Sequence, residues 1–519
     1  MTSIKILWVD DEIELLKSHF LFLERRGYHI TPCNNGQDAL SLNKSSSFDV
    51  VLLDESMPGL NGLEVLNELK IILPNLPVIM ITKNEEEKIM EEAIGAKISD
   101  YLIKPVNPHQ ILLALKKLFQ HKDLISEKTI INYQKEFRKI SLELNEIETD
   151  KDWTTFYLKM TYWEMELQIL EDNGMLDIFE EQMKEANHLF SKFITKNYKS
   201  WLTNNEGPTL SHQLFKERLF PQIIPGTKDT TLLLVIDNLR YDQWKMIAPF
   251  IENHYSTKEE STYFSLLPTA THYSRNALFS GLTPLEMQDR HPDLWINEND
   301  ERGKNLKESE FLKAQLKRLN KDITYSYVKI TNLKAGKELH KSLQNYSKDR
   351  LLVVVYNFVD MISHAKTEMD IIKELAPDNK GFRSLTLSWF KNSPLLDIIQ
   401  KAQKLGFKLA ITTDHGTINV DQATEIISTK DAGTNLRYKT GRNISHNSKD
   451  VIEFANPKEF MLPVEHLNGK FIFAKGSQYF IFKNNFNHFA THFRNTFQHG
   501  GISMEEMIVP FVVMTPRES

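Results

Sequence analysis

Three apolar segments in the second half of the chain each lead to residues that can bind metals. LLLVI precedes Asp237, LLVVVY precedes Asp360 and His364, and FKLAITT precedes Asp414 and His415. Asp360 and His364 are four residues apart, so one helical turn would place both on the same face. Carboxylate and imidazole ligands together suit Zn²⁺ or Mn²⁺ better than Ca²⁺. The pattern therefore predicts a transition-metal centre.

A threonine and a further histidine complete this group. Thr271 stands near the start of a predicted helix, where free backbone N–H groups and the helix dipole favour an anion such as phosphate. His499 precedes two glycines, which permit tight backbone turns, and a final apolar strand. With the five residues above they are too many ligands for one tetrahedral zinc ion and enough for two.

The first 121 residues carry a second group of acids. Asp10 and Asp11 follow the first strand-like run, Asp54 the third, Thr82 the fourth and Lys104 the fifth. Three carboxylates that converge repel one another unless a divalent cation neutralises them, and oxygen ligands with retained water suit Mg²⁺. The lysine and the hydroxyl are placed to hold phosphoryl oxygens.

These residues come together only if strands deliver them to one edge of a sheet. In residues 1–121 strand-like and helix-like runs alternate, which predicts a doubly wound parallel sheet with ligands at the carboxyl ends of its strands. Residues 223–519 predict a second α/β sheet by the same argument. Neighbours on a regular strand point to opposite faces, so Asp414 and His415 serve one site only where their strand ends.

Residues 122–222 are charged and show a helical pattern without strands. An amphipathic stripe at three- and four-residue spacing must bury against other helices. It comprises Trp153, Phe156, Met160, Trp163, Leu167 and Leu170. Asn173 and Gly174 are expected to end this helix, and a second helix is expected from Leu176 to Trp201. We interpret the segment as a small helical bundle that acts as a spacer and transmits a signal.

The composition is that of a globular protein with several domains. Of 519 residues, 41% are hydrophobic and 25% are charged. We expect three domains: an α/β domain over 1–121, a helical bundle linker over 122–222 and a metal-dependent domain over 223–519. The formal net charge of -6 argues against a uniformly basic nucleic-acid binder but permits a local cationic groove.

The cellular location is expected to be cytoplasmic. The single cysteine, Cys33, excludes an intramolecular disulfide framework and agrees with a reducing compartment. The N-terminal residues show no signal-peptide pattern, and no window has the length of apolar residues that a membrane span needs. We therefore expect no contact with a membrane.

The N-terminal pattern, with LLDESMPGLNGLEV around the third strand end, resembles the receiver domain of bacterial response regulators. The resemblance implies that Asp54 accepts a phosphoryl group from a histidine kinase and binds Mg²⁺ together with Asp10 and Asp11. It also implies that Thr82 and Lys104 contact the phosphate. Tyr101 takes the place of the switch aromatic residue in this comparison. Such domains commonly dimerise on phosphorylation through the fourth and fifth helices and the fifth strand, so a homodimer is expected.

The C-terminal pattern resembles the alkaline phosphatase superfamily, in particular its PglZ branch, over most of residues 225–519. The resemblance implies a metal-dependent hydrolase with two Zn²⁺ ions, in which Thr271 forms a covalent phospho-enzyme intermediate. It assigns Asp360, His364 and His499 to one ion, and Asp237, Asp414, His415 and the Thr271 oxygen to the other.

A receiver joined through helices to a PglZ domain resembles the PorX-type response regulators. This family is associated with type IX secretion in Bacteroidetes. The resemblance implies control of secretion genes and an extracytoplasmic-function sigma factor as a partner. No residue in the sequence identifies the surface that such a partner would use.

A basic segment after the Asp414–His415 pair is a candidate for substrate contacts. Its cationic side chains would bind extra phosphates of an oligonucleotide if the loop folds back, with Tyr438 stacking on a base. The cations are Lys430, Arg437, Lys439 and Arg442. A solvated charged loop is the alternative. Arg275 is a further candidate for a phosphate contact, whereas His272 is interpreted as a structural neighbour of Thr271.

Three functions remain open from the sequence. The leading hypothesis is a zinc-dependent phosphodiesterase that acts on a nucleotide or oligonucleotide, because a threonine nucleophile in this superfamily often accompanies diester hydrolysis. A second hypothesis makes the metal site structural or nucleotide-sensing and the chain a scaffold that binds a sigma factor to control transcription. A third is a phosphomonoesterase or phosphomutase.

Overall fold

The computed structural model of the chain divides into two compact units, Met1–Asn132 and Tyr133–Ser519. It describes residues 4–73, 76–83, 98–119, 121–168, 173–204, 206–224, 227, 229–298, 300, 303–428, 432–465 and 468–517. None of the helices within these ranges has the combination of length and apolar character that a membrane span requires.

The first unit is built around a five-stranded parallel sheet with the strand order β2-β1-β3-β4-β5. The strands are β1 Ile4–Val9, β2 Tyr28–Cys33, β3 Val50–Asp54, β4 Val78–Thr82 and β5 Asp100–Ile103. Every residue of β3 and β4 is buried, because apolar clusters cover both faces of the sheet. The prediction of a doubly wound sheet is confirmed.

The helices of the first unit follow the strands. They span Lys17–Glu24, Gly36–Ser45, Gly62–Ile72 and Pro108–Phe119, and a 3₁₀ turn at Ile13–Leu16 precedes the first. Gly62 allows its helix to approach the phosphorylation candidate closely, since a Cβ there would collide with the backbone carbonyl of Asp54. The segment 84–97, where the predicted dimer surface has its fourth helix, lies outside the described residues.

Long helices occupy the middle of the chain. Their bounds are His121–Glu146, Asp150–Leu167 and Asn173–Asn204. The predicted stripe from Trp153 to Leu167 is buried, whereas Leu170 lies outside the described residues. The prediction that Asn173 and Gly174 end a helix is wrong. They begin the next helix instead, because Gly174 falls in its first turn, where intrahelical hydrogen bonding is still incomplete.

A six-stranded sheet forms the core of the second unit, with the order β7-β18-β10-β6-β9-β8. Strands β10, β6, β9 and β8 are parallel, and β18 runs antiparallel to both of its neighbours. The strands are β6 Thr231–Ile236, β7 Tyr255–Phe264, β8 Tyr325–Ile330, β9 Leu351–Tyr356, β10 Lys408–Thr412 and β18 Ile508–Pro516. The α/β fold predicted for this region is confirmed.

Helices and three small sheets surround this core. The principal helices are Tyr241–Glu252, Thr271–Ser280, Pro284–Arg290, Glu308–Arg318, Leu333–Ser342, Phe358–Glu368, Asp370–Leu375, Asn379–Asn392, Pro394–Lys404 and Phe486–Phe493. Shorter helices lie at Ser211–Leu214 and Met504–Met507. The small sheets contain β11 Ile418–Val420, β12 Gln422–Ile426, β13 Tyr438–Gly441, β14 Ile452–Phe454, β15 Lys470–Phe473, β16 Gln478–Phe482 and β17 Thr496–Gln498.

Candidate functional site

Three adjacent parallel strands carry the acids of the C-terminal site. β6 lies between β9 and β10, so the carboxyl ends of the three strands are neighbours. Asp237 directly follows β6, and Asp414 lies two residues beyond β10. Asp360 belongs to the helix Phe358–Glu368 that follows β9. The sheet therefore brings these predicted residues together at one edge.

The first ligand group consists of Asp360, His364 and His499. One potential ligand atom from each lies within 4.8 Å of the other two. Nε2 of His364 is 3.4 Å from Oδ2 of Asp360, and Nε2 of His499 is 3.7 Å from Oδ1. The His364 side chain is 64% exposed, so this group opens to solvent.

The second ligand group consists of Asp237, Asp414 and His415, and all three are buried. Nε2 of His415 is 4.0 Å from Oδ1 of Asp237 and 3.7 Å from Oδ2 of Asp414. Thr271 is the first residue of its helix, and its Oγ1 lies 3.1 Å from the same Nε2. The structure thus places Thr271 beside this group.

The two groups meet at a pair of histidine rings. The rings of His415 and His499 stack with their centroids 4.3 Å apart. Asn238 also joins the groups, since its backbone N–H donates to Oδ1 of Asp414 at 3.3 Å and its side-chain amide lies 3.5 Å from Oδ1 of Asp360. All seven predicted residues therefore belong to one continuous site.

Backbone carbonyls fix the orientation of both buried imidazoles. Nδ1 of His415 lies 3.0 Å from the carbonyl of Gly416, and Nδ1 of His499 lies 3.3 Å from the carbonyl of Thr269. A carbonyl only accepts, so each Nδ1 carries the proton and each Nε2 keeps its lone pair. This is the arrangement that metal-binding histidines require.

Burial governs the protonation of this site. It raises the pKa of Asp237 to about 8, although Arg275 opposes the shift, and it raises the pKa of Asp414 in the same way. Burial also lowers the pKa of His415 and, helped by the nearby His415, that of His499 to about 3. The imidazoles are therefore neutral, as ligands must be.

The more open ligand group behaves differently. Burial opposes ionisation of Asp360, but the hydrogen bond to His364 and the neighbouring histidines outweigh burial and lower its pKa. The same hydrogen bond raises the pKa of His364. Here the carboxylate and an imidazole already form a charge-assisted pair.

Unpartnered oxygens show that the residues suit divalent cations. Oδ1 of Asp237 and Oδ2 of Asp414 are buried, and neither has a hydrogen-bond partner among the described residues. Buried acceptors without a donor are costly, and a cation would satisfy both. Mixed carboxylate and imidazole ligands fit zinc, so the residues present are compatible with the two Zn²⁺ ions that the sequence predicts.

Arg275 has a role that the sequence did not indicate. It is 1% exposed, and its Nη1 donates to Oδ2 of Asp237 at 2.5 Å while its Nε donates to Glu308 at 2.6 Å. Glu308 also accepts from Lys329 at 3.0 Å and from the hydroxyl of Tyr327. The guanidinium is thus bound by carboxylates, and the predicted phosphate contact of Arg275 is replaced by support of a ligand.

Other supporting residues were also missed. Thr413 accepts from the backbone N–H of Leu239 at 2.9 Å and donates to the carbonyl of His415 at 2.9 Å, which ties the turns after β6 and β10 together. Asn238 adopts a left-handed backbone with φ of 64°. Asparagine tolerates that conformation, so an Asp-Asn pair after a buried strand was the available signal.

The basic segment does not supply the substrate contacts expected of it. Arg437 is fully buried and pairs with Glu506, with Nη2 at 2.6 Å from a carboxylate oxygen. Tyr438 packs edge-to-face on Tyr273 at 5.7 Å, and Lys439 donates to a backbone carbonyl at 2.9 Å. These three predictions are wrong, because all three side chains are buried in the protein interior. Arg442 is exposed, so its proposed contact stays a prediction, and Lys430 lies outside the described residues.

The structural interpretation of His272 agrees with its surroundings. The residue is 6% exposed, and its ring stacks on Trp295 with centroids 4.6 Å apart. Its Nδ1 lies 3.3 Å from a carboxylate oxygen of Glu298. The histidine next to Thr271 therefore belongs to a buried aromatic and acidic cluster.

The receiver site gathers at the ends of β1, β3, β4 and β5. Potential ligand atoms of Asp10, Asp11 and Asp54 lie within 4.8 Å of one another. Nζ of Lys104 donates to Asp10 and to Asp54, each at 2.9 Å. Oδ1 of Asp54 is buried without a partner among the described residues, which suits a bound Mg²⁺.

The remaining receiver residues flank these acids. Thr82 donates to Glu55 at 2.9 Å, and Tyr101 is 38% exposed. Burial raises the pKa of Asp54, although Lys104 opposes the shift. Burial would lower the pKa of Lys104, but its bonds to Asp10 and Asp54 raise it overall. The site therefore holds a charged lysine between two acids.

Three families match consecutive parts of the chain. Residues 6–116 match the response regulator receiver domain, and residues 123–202 match the PorX response regulator linker domain. Residues 214–514, more than half of the chain, match the BREX system PglZ alkaline phosphatase-like domain.

Individual relatives are similar to a smaller part of the chain. The transcriptional regulatory protein ResD of Bacillus subtilis is 34% identical over 116 residues, which are 22% of this chain and 48% of ResD. SrrA of Staphylococcus aureus is 29% identical over 150 residues, 29% of this chain and 60% of SrrA. The chain thus covers less than two thirds of each. Among solved structures, CheY4 of Vibrio cholerae is 27% identical with a TM-score of 0.21, covering 22% of this chain and 97% of CheY4.

Proposed function

The chain belongs to the PglZ family of alkaline phosphatase-like domains, in the PorX-type order of receiver, linker and PglZ domain, and from this we propose that it is a response regulator with a zinc-dependent phosphodiesterase as its effector. One observation carries the catalytic part. The Thr271 hydroxyl lies 3.1 Å from Nε2 of His415, at a helix N-terminus and beside two buried carboxylate oxygens that have no hydrogen-bond partner among the described residues.

Each ligand group has a defined part in this proposal. Asp360, His364 and His499 would hold one Zn²⁺, and Asp237, Asp414 and His415 the other, with the Thr271 oxygen beside them. When bound, the two ions would neutralise charge on the nucleophile, the phosphoryl oxygens and the leaving oxygen. Oγ1 of Thr271 attacks phosphorus and loses its proton, so that a threonine–phosphorus bond forms while the bond to one ester oxygen breaks, and that oxygen takes up a proton and leaves as an alcohol. Water then cleaves the threonine–phosphorus bond, which releases a phosphomonoester and restores the Thr271 hydroxyl.

The state of Arg275 favours a diester over a monoester. A phosphomonoester dianion carries one more negative charge than a diester and needs more cationic groups around it. Arg275, four residues after Thr271 in the sequence, is 1% exposed and directs its Nη1 to Asp237 and its Nε to Glu308, so these two donors serve carboxylates of the protein. A substrate with the single charge of a diester therefore suits this site better.

A nucleotide or oligonucleotide is the proposed diester. Of the predicted cationic contacts within the described residues, Arg437 and Lys439 are buried, which leaves the exposed Arg442 as the candidate for an additional phosphate. The charge-reversal variant R442E should have a higher KM for an oligonucleotide. Its KM for a small diester that carries no additional phosphate should be unchanged.

The receiver supplies the regulatory part of the proposal. Asp54 is the phosphorylation site, with Asp10 and Asp11 at the Mg²⁺ and Lys104 and Thr82 at the phosphoryl oxygens. A histidine kinase is the donor, and phosphorylation promotes a homodimer. By resemblance to the PorX type, the output is control of type IX secretion genes through an extracytoplasmic-function sigma factor.

Hydrolysis and metal content together test the catalytic proposal. Bis(p-nitrophenyl) phosphate and p-nitrophenyl phosphate are offered to the zinc-loaded chain and to its T271A and T271S variants. We expect the diester to be hydrolysed faster, T271A to lose at least about a thousandfold in rate, and T271S to retain most of it. Zinc content should be about equal in all three.

The outcomes separate the alternatives. Equal diester rates for the parent chain and T271A would contradict the nucleophile. Faster cleavage of the monoester would favour a phosphomonoesterase, and zinc binding without cleavage of either ester would favour the non-catalytic scaffold.

A further inference from the structure

We propose that Asn187, in the helix Asn173–Asn204, is a positioning residue that holds the two ligand groups in register through the segment 499–507. The proposal rests on the metal-dependent function above. It assigns the middle helices a direct part in the active centre, in addition to their part as a spacer.

The side chain of Asn187 forms hydrogen bonds with two residues of this segment. Its Nδ2 donates to the carboxylate of Glu505 at 3.0 and 3.3 Å, and its Oδ1 accepts the backbone N–H of Met504 at 2.9 Å. Asn187 is 3% exposed, and Glu505 is 7% exposed. Ser191, one turn further along the helix, lies 3.4 Å from the carbonyl of Ile502. A buried amide that uses both ends in this way fixes the position of its partner.

The other side of the segment contacts the second ligand group. Gly416 donates its backbone N–H to the carbonyl of Glu506 at 3.0 Å. A Cβ at Gly416 would collide with the carbonyl of Glu505, so the glycine permits this close approach. Because Gly416 is bonded to His415 and its carbonyl holds the His415 ring, a shift of Glu505 moves that ligand.

The start of the segment contacts the first ligand group. Thr269 donates to the carbonyl of Gly501 at 2.8 Å and accepts the N–H of Gly500 at 3.1 Å, and its own carbonyl holds Nδ1 of His499. Glu506 closes the turn by accepting the N–H of Gly501 at 2.9 Å. The segment that Asn187 grips therefore reaches both stacked histidines.

A second contact from the middle helices supports the same conclusion. Glu164, in the helix Asp150–Leu167, accepts from Asn379 at 2.7 Å and from Arg383 at 3.2 Å. Arg383 shares Asp242 with Arg240, which lies three residues after the ligand Asp237. Glu164 and Asn187 line one cavity of about 340 Å³ together with Arg240 and Glu505. The middle helices thus contact the segment after Asp237, through the pair of Glu164 with Arg240 at 3.9 Å, and the segment that carries Glu505.

An exchange of hydrogen-bonding groups tests the role of Asn187. N187D keeps the shape of the side chain but places a carboxylate against Glu505, so the bond is lost. The double variant N187D/E505Q restores the hydrogen bond with the groups exchanged, so that the amide on residue 505 donates to the carboxylate on residue 187. N197D is the matched control on the same helix, because the side-chain amide of Asn197 donates to the carbonyl of Phe193 within that helix.

Four quantities are measured on the full chain: zinc affinity, the visible spectrum of the cobalt-substituted protein, kcat for the diester and KM for the diester. We expect N187D to weaken zinc affinity and lower kcat by about 10- to 100-fold with little change in KM, and to alter the cobalt spectrum. N187D/E505Q should recover most of each loss, and N197D should match the parent chain.

The readouts distinguish this proposal from the proposed function. If the parent chain cleaves no ester, zinc affinity and the cobalt spectrum still report the positions of the ligands. Parent-like zinc affinity and spectrum in N187D would overturn the proposal, as would a folded double variant that recovers neither. If N187D does not fold, E505A removes the acceptor while Asn187 keeps its bond to Met504, and the same losses are expected.

Discussion

The receiver site and the C-terminal centre both collect acids at the ends of parallel strands, but they neutralise them differently. In the receiver, one lysine bridges Asp10 and Asp54 at 2.9 Å each and is itself 18% exposed. In the C-terminal centre, Arg275 donates to one oxygen of Asp237, while Oδ1 of Asp237 and Oδ2 of Asp414 have no hydrogen-bond partner in the described part of the chain.

The two sites differ in how much of their carboxylate charge a bound cation must neutralise. Lys104 supplies a positive charge that the receiver site keeps whether or not Mg²⁺ is bound. The C-terminal centre buries three ligands completely and leaves oxygens that only a cation or a proton can satisfy. We infer that ions bound there would contribute to the stability of the fold.

The largest effect should come from removing the buried arginine. R275A leaves the carboxylates of Asp237 and Glu308 without their shared cation, and we expect the free energy of unfolding of the second unit to fall by about 3 to 5 kcal/mol. Denaturant unfolding with hydrogen-exchange mass spectrometry of the full chain measures this. R290A is the control, because Arg290 is 55% exposed and its pair with Glu286 should contribute less than about 1 kcal/mol. Equal losses in the two variants would contradict the role of the buried network.

Removal of zinc should have the next largest effect and should be confined to the second unit. At a hundredfold excess of free ion over Kd, binding stabilises the folded state by about 2.7 kcal/mol, and a chelator removes that contribution. Hydrogen exchange should therefore rise in β6 and β10 after chelation but change little in β3. If hydrogen exchange changed equally in all three strands, or in none of them, the two sites would not differ in how much a bound ion stabilises the fold.

The positions of the ligands were predictable because local patterns determine them. Runs of buried apolar residues mark β6, β9 and β10, and a parallel sheet brings the ends of such strands to one edge whatever the rest of the chain does. Asp237 and Asp414 were found for this reason. The four-residue spacing of Asp360 and His364 likewise needed only one helical turn.

Contacts between distant segments were not predictable in the same way. Arg437 is in a stretch rich in charge and glycine that has the composition of a solvated loop, yet β13 pairs with β15 and its guanidinium reaches Glu506, 69 residues further on. Arg275 shows the same problem, because its partner Glu308 is 33 residues away. A buried charge requires a partner, but the sequence alone does not say which of many acids it is.

A smaller effect should come from the exposed ligand in each site. His364 and Asp11 are exposed, whereas the other members of their groups are more buried. Changing a residue that merely supports a ligand costs about 10- to 100-fold in ion affinity, so H364A and D11A should each lose at least about tenfold. Isothermal titration with Zn²⁺ and Mg²⁺ measures this. The metal-free variants should unfold at the same denaturant concentration as the metal-free parent chain, and a lower midpoint would show that these side chains also support the fold.

The smallest effect should come from Lys104, and its dependence on the ion tests the comparison most directly. K104A leaves Asp10 and Asp54 facing each other, which should cost about 1 kcal/mol in the free energy of unfolding without Mg²⁺, because the lysine is partly exposed. Adding Mg²⁺ should reduce this cost, since the ion replaces the lost charge, and Mg²⁺ affinity should rise because no lysine competes for the carboxylates. K117A is the control, since Lys117 forms an ion pair with Asp100 and the lysine side chain of that pair is 68% exposed. If Mg²⁺ left the loss of unfolding free energy in K104A unchanged, the lysine and the ion would not have the same role.

Zinc should not restore the stability of R275A in this way, because Arg275 also pairs with Glu308, which belongs to neither ligand group.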